Sequence, residues 1–397
     1  DVKFPFKFYW IDNKNINAFA TLGGNVTSHT GTLAIADTES EFASVMAHEI
    51  AHVTQRHIAR FVEAQSQKAP LTLAGILGAI VLATVNPEAG MAAMMATQGA
   101  SQQSAINFTR GNEQEADRIG MQIMVDAGFD PYAVPDFFRK LSEQSRFINQ
   151  QLAFLQTHPL SQSRVSDTRL RAEQFQQRFI PDSQDFTLTK ARVLARYHYS
   201  KNDAETVFRK KLTEPGGNTK ANQYGLAIAL LDKGELGQAR KLIEQMLEKD
   251  EHNLYYIDVY TDILLAQKEY QVCLDMLEQQ YLLRPNNQVV TLNYANAALT
   301  SGAPRLAIHL LKSLLFYKSD NILAYDLLTQ AYKAVGDFAR FYEARADLAY
   351  QRADYPRAID DLNEALNHLK PEEKLENRRL EAKKRQLQTE FDRLRRM

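Results

Sequence analysis

The pattern of apolar and polar residues changes its period near residue 180. Before that point, "FKFYWI" (residues 6–11) has the composition of a strand, and "NAFATLGGNVTSHTGTLAI" predicts two strands joined at Gly23-Gly24. After Pro181, apolar residues recur with the helical period almost to the end of the chain. The sequence therefore predicts a mainly helical α+β domain with a small β-sheet over residues 1–180 and an all-α domain over residues 181–397.

Three helices are expected in the first domain. Thr38 and Glu41 are placed as the N-cap and third residue of a capping box, which begins the first helix. The second helix is expected from about Asn112 to Ala127, where Gly128 ends it, and the third from about Pro135 to Phe154.

The longest apolar stretch is "LTLAGILGAIVLATV", residues 71–85. As a helix it would rise about 22 Å, which is less than the ~30 Å hydrocarbon core of a bilayer. The pattern favours a buried helix, and the alternative is peripheral contact with a membrane through residues 71–100.

The second domain repeats itself. The turn residues Gly234, Lys268, Gly302 and Gly336 follow one another at steps of 34 residues. Five residues after the first three turns stand small residues, and nine residues after them stand large apolar ones: Ala239, Cys273 and Ala307, then Ile243, Leu277 and Leu311. This pattern is typical of tetratricopeptide repeats. Phe341 and Arg345 interrupt it in the fourth unit, and the charged C-terminal segment is expected to cap the array.

Composition and charge exclude several classes of protein. The formal net charge of −1 gives no argument for binding nucleic acid. The single cysteine, Cys273, excludes an intrachain disulfide and a cysteine-based zinc site. The chain starts at "DVKFPF", without an initiator Met or a leader, so we expect a trimmed start, and the compartment stays open on composition alone.

The chemistry concentrates in "HEIAH", residues 48–52. His48 and His52 leave one face of a helix one turn apart and can bind one metal ion, while Glu49 can act as a general base. His57 would lie about half a turn round from His48 on the same helix, which predicts a surface or second-layer residue. Gln55 and Ile58 stand where the class H-E-x-x-H-x-x-G-x-x-H needs Gly and His, so that class is excluded.

A third protein ligand must come from elsewhere in the chain. "GNEQEADRIG" offers Glu113 and Glu115 on the second helix, and Asp117 shares a face with Glu113. Asp117 is expected to accept the outer N–H of a metal-bound histidine. The alternative is a solvated acidic stripe.

These residues carry a resemblance to a known class of enzymes. "HEIAH" and the downstream "EQEAD" resemble the HtpX/CAAX-protease class of zinc peptidases, of gluzincin type, and the motif match implies Glu113 as the third ligand. "THPLSQSRVSDTR" matches the segment of that class that implies His158 and Arg164 beside the site. Such a peptidase followed by tetratricopeptide repeats resembles the periplasmic BepA (YfgC) family.

The resemblance implies a periplasmic zinc endopeptidase with one zinc ion per chain and chaperone-like activity towards outer-membrane β-barrel proteins. His158 is expected either to stabilise the oxyanion or to bind zinc as a fourth ligand that gates the site. The strand Asn17-Ala18-Phe19 is expected to pair with an extended substrate. The repeats would bind clients, the β-barrel assembly machinery or other protein partners. A non-proteolytic holdase or assembly adaptor is the alternative.

Overall fold

The computed structural model describes residues 5–66, 80–81, 102–147, 153–177 and 179–396. The chain divides into two compact units, residues 1–229 and 230–397. The domain boundary at residue 180 stays a prediction. Within the first unit, Phe186 and Val193 pack against Leu33, so residues beyond 180 contribute to its core.

The predicted membrane-contact region, residues 71–100, lies outside the described residues except for Ile80 and Val81. Among the residues that the structure describes, no helix is long and apolar enough to cross a membrane.

Three strands form the small sheet of the first unit, in the order β1-β3-β2: β1 Lys7–Ile11, β2 Ala18–Thr21 and β3 Asn25–His29. β1 is parallel to β3, whereas β2 is antiparallel to it. The predicted hairpin is confirmed, because Gly23 and Gly24 connect β2 to β3 with φ of +85° and +80°, which glycine adopts without strain. β2 therefore lies at an edge of the described sheet.

Among the described residues, the first unit has the helices α1 Thr30–Ile35, α2 Glu39–Thr54, α3 His57–Ser66, α4 Gln102–Asp126, α5 Ala133–Phe147, α6 Ala153–Thr157, α7 Gln162–Ala172, α8 Gln184–Val193 and α9 Lys201–Thr213. A single π turn, Leu194–His198, follows α8, and the division between the units falls inside α10, Lys220–Lys233.

Only one of the two hydrogen bonds of the predicted capping box forms at the start of α2. Thr38 Oγ1 accepts a hydrogen bond from the Glu41 N–H at 3.2 Å, as expected. Glu41 Oε2, however, accepts from the N–H of Asp37 at 2.6 Å instead of that of Thr38. The buried Glu41 carboxylate also pairs with Lys140 of α5, and this ion pair draws it away from the reciprocal bond.

Two predicted helices have other bounds. α4 is already helical at Gln102, ten residues before the predicted start at Asn112. α5 covers Ala133–Phe147, residues 148–152 lie outside the described residues, and Phe154 belongs to α6.

α4 packs closely against α2 because glycine stands at their contact. A Cβ atom at Gly120 would lie 3.1 Å from the backbone nitrogen of His48. Glu113, Asp117 and Gly120 share one face of α4, since they recur at helical spacing. This close approach therefore brings the two carboxylates to the helix that carries "HEIAH".

The second unit consists of helices that each pack against the next: α11 Leu236–Leu247, α12 Leu254–Ala266, α13 Tyr270–Leu283, α14 Gln288–Thr300, α15 Pro304–Tyr317, α16 Ile322–Ala334, α17 Phe338–Gln351, α18 Tyr355–Asn367 and α19 Lys374–Arg396. Leu254, Gln288 and Ile322 begin helices at steps of 34 residues, as do Leu236, Tyr270, Pro304 and Phe338. The predicted 34-residue helical hairpins and the predicted fold class are confirmed.

The turn and core positions of the repeats also match the prediction. All four turn residues have positive φ, from +62° at Lys268 to +85° at Gly234. The six predicted contact residues are each 0% exposed: Ala239, Cys273, Ala307, Ile243, Leu277 and Leu311. In the fourth unit Arg345 pairs with Asp361 and lies over the rings of Phe341 and Tyr342. α19 buries Leu380 and Leu387 and leaves most of its charged residues exposed or half-buried.

Candidate metal centre

Four side chains from two helices and one loop converge inside the first unit. His48 and His52 come from α2, Glu113 from α4 and His158 from the turn between α6 and α7. Each offers one ligand atom, and these four atoms all lie within 4.8 Å of one another. The structure thus brings together the four residues that the sequence analysis named as metal ligands.

Four of the six separations between these atoms are close to those around a tetrahedral ion, and all six are within 4.8 Å. Ligand bonds of about 2.0–2.1 Å in a tetrahedron place the ligand atoms about 3.3 Å apart. The Nε2 atoms of His48 and His52 are 3.0 Å apart, and His52 Nε2 is 3.3 Å from Glu113 Oε1. His158 Nδ1 lies 3.3 Å from His48 Nε2 and 3.1 Å from Glu113 Oε1. Three imidazoles and one carboxylate with this spacing fit a divalent metal ion.

The charge states also suit a metal. Burial would raise the pKa of Glu113, but His158, His48 and His52 hold it well below its usual range, so the group is a carboxylate. Burial lowers the pKa of His52 to about 3, which leaves a neutral imidazole with a lone pair. Burial also disfavours a proton on His48, but Asp117 and Glu113 raise its pKa to about 10. A metal at this site would therefore displace a proton from His48.

Asp117 and Arg164 contact the ligand side chains without belonging to the four-residue cluster. His48 Nδ1 is 3.0 Å from Asp117 Oδ1, so the nitrogen that faces away from the other ligands donates to a carboxylate. Arg164 forms a bidentate pair with Asp117, with both distances 2.7 Å, and its Nη1 is 2.9 Å from Glu113 Oε2. One guanidinium thus neutralises two buried carboxylates, which would otherwise repel each other.

Glu49 lies beside the ligands without joining them. Its side chain is 1% exposed, and its Oε1 is 3.4 Å from His158 Nε2. Burial raises the pKa of Glu49, while His158 and His48 oppose that rise. The backbone of Ala20 in β2 also lies within hydrogen-bonding reach of this carboxyl group. A buried carboxylate next to a metal is placed to accept a proton from water.

The loop that carries His158 is tied to the same network. The backbone N–H of His158 donates to the backbone oxygen of Phe154 at 2.8 Å. The His158 imidazole stacks on the Phe154 ring, with centroids 4.8 Å apart. Arg164 Nη1 donates to Pro159 O at 2.8 Å. The guanidinium therefore contacts both the loop and the carboxylates of α4.

The prediction for His57 rested on a continuous helix, and that geometry is wrong. α2 ends at Thr54, Arg56 adopts a φ of +56°, and a new helix begins at His57. His57 is 3% exposed, so it is a second-layer residue and not a surface one. Its Nδ1 is 2.8 Å from His52 Nδ1 and its Nε2 is 3.1 Å from Glu115 Oε2.

Sequence reasoning missed the second group of side chains, which consists of His57, Glu115 and Arg60. Glu115 lies outside the four-residue cluster and pairs with His57 and with Arg60, whose Nη2 is 2.7 Å away. The left-handed residue Arg56 is neither Gly nor Asn, so nothing in the sequence marks the corner between α2 and α3. The alternation of Glu113 and Glu115 is the one available signal, since it sends two carboxylates to different sides of α4.

The predicted substrate strand lies at the edge of the sheet. Asn17 precedes β2, and its backbone N–H and C=O both bond to Thr32 Oγ1, at 3.0 and 2.7 Å. Ala18 and Phe19 lie in β2, where they pair with Ser28 and Thr27 of β3. This strand packs against α2, which carries Glu49.

Comparisons with known proteins identify the family of this chain. The model of peptidase family M48 matches residues 2–172. The beta-barrel assembly-enhancing protease of Escherichia coli K12 is 41% identical over 372 residues, which cover 93% of this chain and 76% of that protein. The mitochondrial metalloendopeptidase OMA1 of Schizosaccharomyces pombe is 32% identical over 157 residues, or 38% of this chain and 41% of that protein.

The chain has distant likenesses among solved structures. A tetratricopeptide repeat protein of Thermus thermophilus is 16% identical and aligns with 52% of this chain and 100% of its own, at a TM-score of 0.30, which is too low to support an argument. The relationship rests instead on sequence identity across both units. The chain is a metalloprotease by family and belongs, within peptidase family M48, to the beta-barrel assembly-enhancing proteases.

Proposed function

We propose that this protein is a zinc-dependent endopeptidase with chaperone-like activity towards outer-membrane β-barrel proteins, and that it works in the periplasm. The observation that carries the proposal is the convergence of His48, His52 and Glu113, with Glu49 alongside. The printed name of the Escherichia coli relative supports the substrate class.

The donor set favours zinc as the metal. Three imidazoles and a carboxylate are ligands that zinc accepts in a tetrahedral arrangement. When bound, zinc would polarise the scissile carbonyl group and lower the pKa of water at the site. Asp117 would keep His48 in the tautomer that presents its Nε2 to the metal, and Arg164 would hold Asp117 and Glu113 in place.

Glu49 is assigned the role of general base. A water molecule that attacks a peptide carbonyl must lose a proton, and the Glu49 carboxylate would accept it and pass it to the leaving amine. Its burial at 1% exposure keeps bulk water away from the proton that is transferred.

His158 is assigned the role of a gate. A fourth protein ligand leaves no open position on a tetrahedral zinc ion, and catalytic sites need one. The position of His158 Nδ1, 3.1 Å from Glu113 Oε1, supports this closed arrangement. Once the loop moves, the same imidazole would be near enough to stabilise the oxyanion of the tetrahedral intermediate.

Substrate is proposed to bind along β2. An extended polypeptide would add a strand to this edge of the sheet beside Ala18 and Phe19, whereas the backbone N–H and C=O of Asn17 already bond to Thr32 Oγ1. The backbone of Ala20 lies beside Glu49, so such a strand would run past the general base. Unassembled β-barrel proteins expose strands that lack pairing partners, which suits this mode of binding.

The repeats would bind clients, the β-barrel assembly machinery or other proteins. Peripheral membrane contact through residues 71–100 stays a prediction.

A holdase or assembly adaptor without proteolysis is the second candidate. The four-ligand arrangement favours it, because a site that His158 never leaves would not cleave peptides. In that case the protein would act by binding clients and partners through its repeats.

The experiment measures zinc content and cleavage of an unfolded outer-membrane β-barrel protein by the full chain. Glu49→Gln should keep the zinc but lose about 10²–10⁴-fold in cleavage rate. His158→Ala should cleave faster than the wild type, because a closed site allows no turnover and opening it outweighs the lost contact to the oxyanion. Glu143→Gln, on the exposed face of α5, is the matched control and should change neither.

Each contrary outcome has a distinct meaning. Full cleavage by Glu49→Gln would rule out the enzyme mechanism, and zinc without cleavage in every variant would favour the holdase.

A further inference from the structure

The two histidines of α2 are supported in different ways. His48 donates directly to the carboxylate of Asp117, whereas His52 faces a second imidazole. The corner at Arg56 turns His57 back onto His52, so that their ring centroids are 4.8 Å apart and their planes lie at 78°. A straight continuation of α2 would have sent His57 to another face of the helix.

The contacts allow only one consistent set of tautomers when His52 Nε2 binds the metal. A neutral imidazole carries one N–H and one lone pair, so the proton of His52 is then on Nδ1 and is donated to His57 Nδ1, 2.8 Å away. The proton of His57 is consequently on Nε2 and is donated to Glu115 Oε2 at 3.1 Å.

The hydrogen-bonded series His52, His57 and Glu115 ends at a surface ion pair between Glu115 and Arg60. Glu115 Oε2 also accepts from Arg60 Nη2 at 2.7 Å, and Arg60 Nη2 contacts Asn112 Oδ1 at 3.4 Å. The Glu115 side chain is 31% exposed, so the series leads from the metal centre to solvent.

We propose that His57 is a positioning residue of the metal centre. Its Nδ1 accepts the N–H of His52, and this bond fixes the tautomer and ring orientation that direct His52 Nε2 to the metal. Glu115 orients His57 in turn. The inference rests on the proposed function, in which His52 is a metal ligand. Such outer partners typically contribute about 10–100-fold to metal affinity.

A simpler explanation is that His57 only fills the corner between α2 and α3. This explanation requires a certain volume and no particular atom, so an aromatic ring without nitrogen would serve equally well. The two explanations therefore differ in what they predict for substitutions of similar size.

The test compares His57→Phe with His57→Asn in the full chain. Phenylalanine keeps a ring but offers no acceptor, whereas asparagine places an amide oxygen near the position of Nδ1. Zinc affinity, measured by competition with a chromophoric chelator, should fall about 10–100-fold in His57→Phe and by less than about tenfold in His57→Asn. The absorption spectrum of the cobalt-loaded chain should change in the Phe variant only. Gln55→Ala is the control from the same corner and should match the wild type, because the Gln55 side chain contacts only Thr54 among the contacts described.

Equal affinities in both variants, whether reduced or unchanged, would overturn the proposal. If His57→Phe fails to fold, as shown by thermal unfolding of the metal-free chain, Glu115→Gln decides. We expect it to weaken zinc binding by about three- to tenfold, within the range that outer partners contribute, and an unchanged affinity would contradict the proposal. A wild-type chain that binds no zinc would instead refute the proposed function itself.

Discussion

The two compact units bury different kinds of side chains. The centre of the first unit encloses charges: Glu49, Glu113, Asp117 and Arg164 are each between 1% and 6% exposed. The repeats of the second unit enclose small and large apolar residues in alternation, such as Cys273 and Leu277. The buried charges of the first unit depend on partners from distant parts of the chain. The core of the repeats depends instead on side-chain volume at recurring positions.

This difference predicts which substitutions each unit tolerates. Removing one partner from a buried ion network leaves an uncompensated charge, which usually costs more than the pair contributes. Apolar repeats respond instead to voids and to excess volume.

The largest effect is expected for Arg164→Met. Without the guanidinium, Asp117 and Glu113 are left as neighbouring buried carboxylates, and we expect the free energy of unfolding to fall by about 3–5 kcal/mol. Trp10 is the only tryptophan of the chain and stacks on Phe42 in the first unit, so its fluorescence in urea reports this transition.

Arg139→Met provides the matched control for this measurement. Arg139 pairs with Glu143 on the surface of α5, where both side chains are more than half exposed. An exposed pair at this spacing contributes little to stability, because water and salt screen the two charges. Equal losses in the two variants would contradict the idea that the first unit depends on its buried pairing.

A smaller effect is expected for Cys273→Leu in the second unit. Cys273 is 0% exposed in a slot that holds Ala239 and Ala307 in the neighbouring repeats. The additional carbon atoms should cost about 1–3 kcal/mol by overpacking. Far-UV circular dichroism during thermal unfolding should show a lower midpoint. Cys273→Ala should stay closer to the wild type because alanine occupies this slot twice already, and the opposite order would mean that volume does not govern the repeats.

The smallest effect is expected for Lys268→Gly, and it is stabilising. Lys268 has a φ of +62° where the other three repeat turns have glycine. A side chain in this left-handed region costs about 1–2 kcal/mol, and the greater freedom of glycine in the unfolded chain cancels part of the gain. A net increase of about 0.5–1 kcal/mol should appear as a higher melting temperature. A lower melting temperature would show that the Lys268 side chain contributes more to stability than its backbone strain costs.

Local patterns allowed much of the fold to be predicted. The hairpin at Gly23-Gly24 and the 34-residue repeats were predicted because glycine at turns and periodic apolar residues act over a few neighbours. The reciprocal half of the capping box was not, because Lys140, far along the chain, forms an ion pair with Glu41. The longer extent of α4 also escaped prediction.

The candidate site was predictable only in part from physical reasoning. His48, Glu49 and His52 follow from helical spacing, but the choice of Glu113 over Glu115 and the placement of His158 came from resemblance to a family. The role of His57 depends on a left-handed Arg56. No local pattern indicates that conformation, and the contacts that accompany it, from His57 and Arg60 to Glu115, come from the distant helix α4.

The most direct test of the metal centre is X-ray absorption spectroscopy at the zinc edge on the full chain, with zinc content measured on the same sample. We predict one zinc ion per chain with four nitrogen and oxygen ligands, three of them imidazoles, and two imidazoles in His158→Ala. No bound zinc, or a ligand shell that does not change in His158→Ala, would contradict the account.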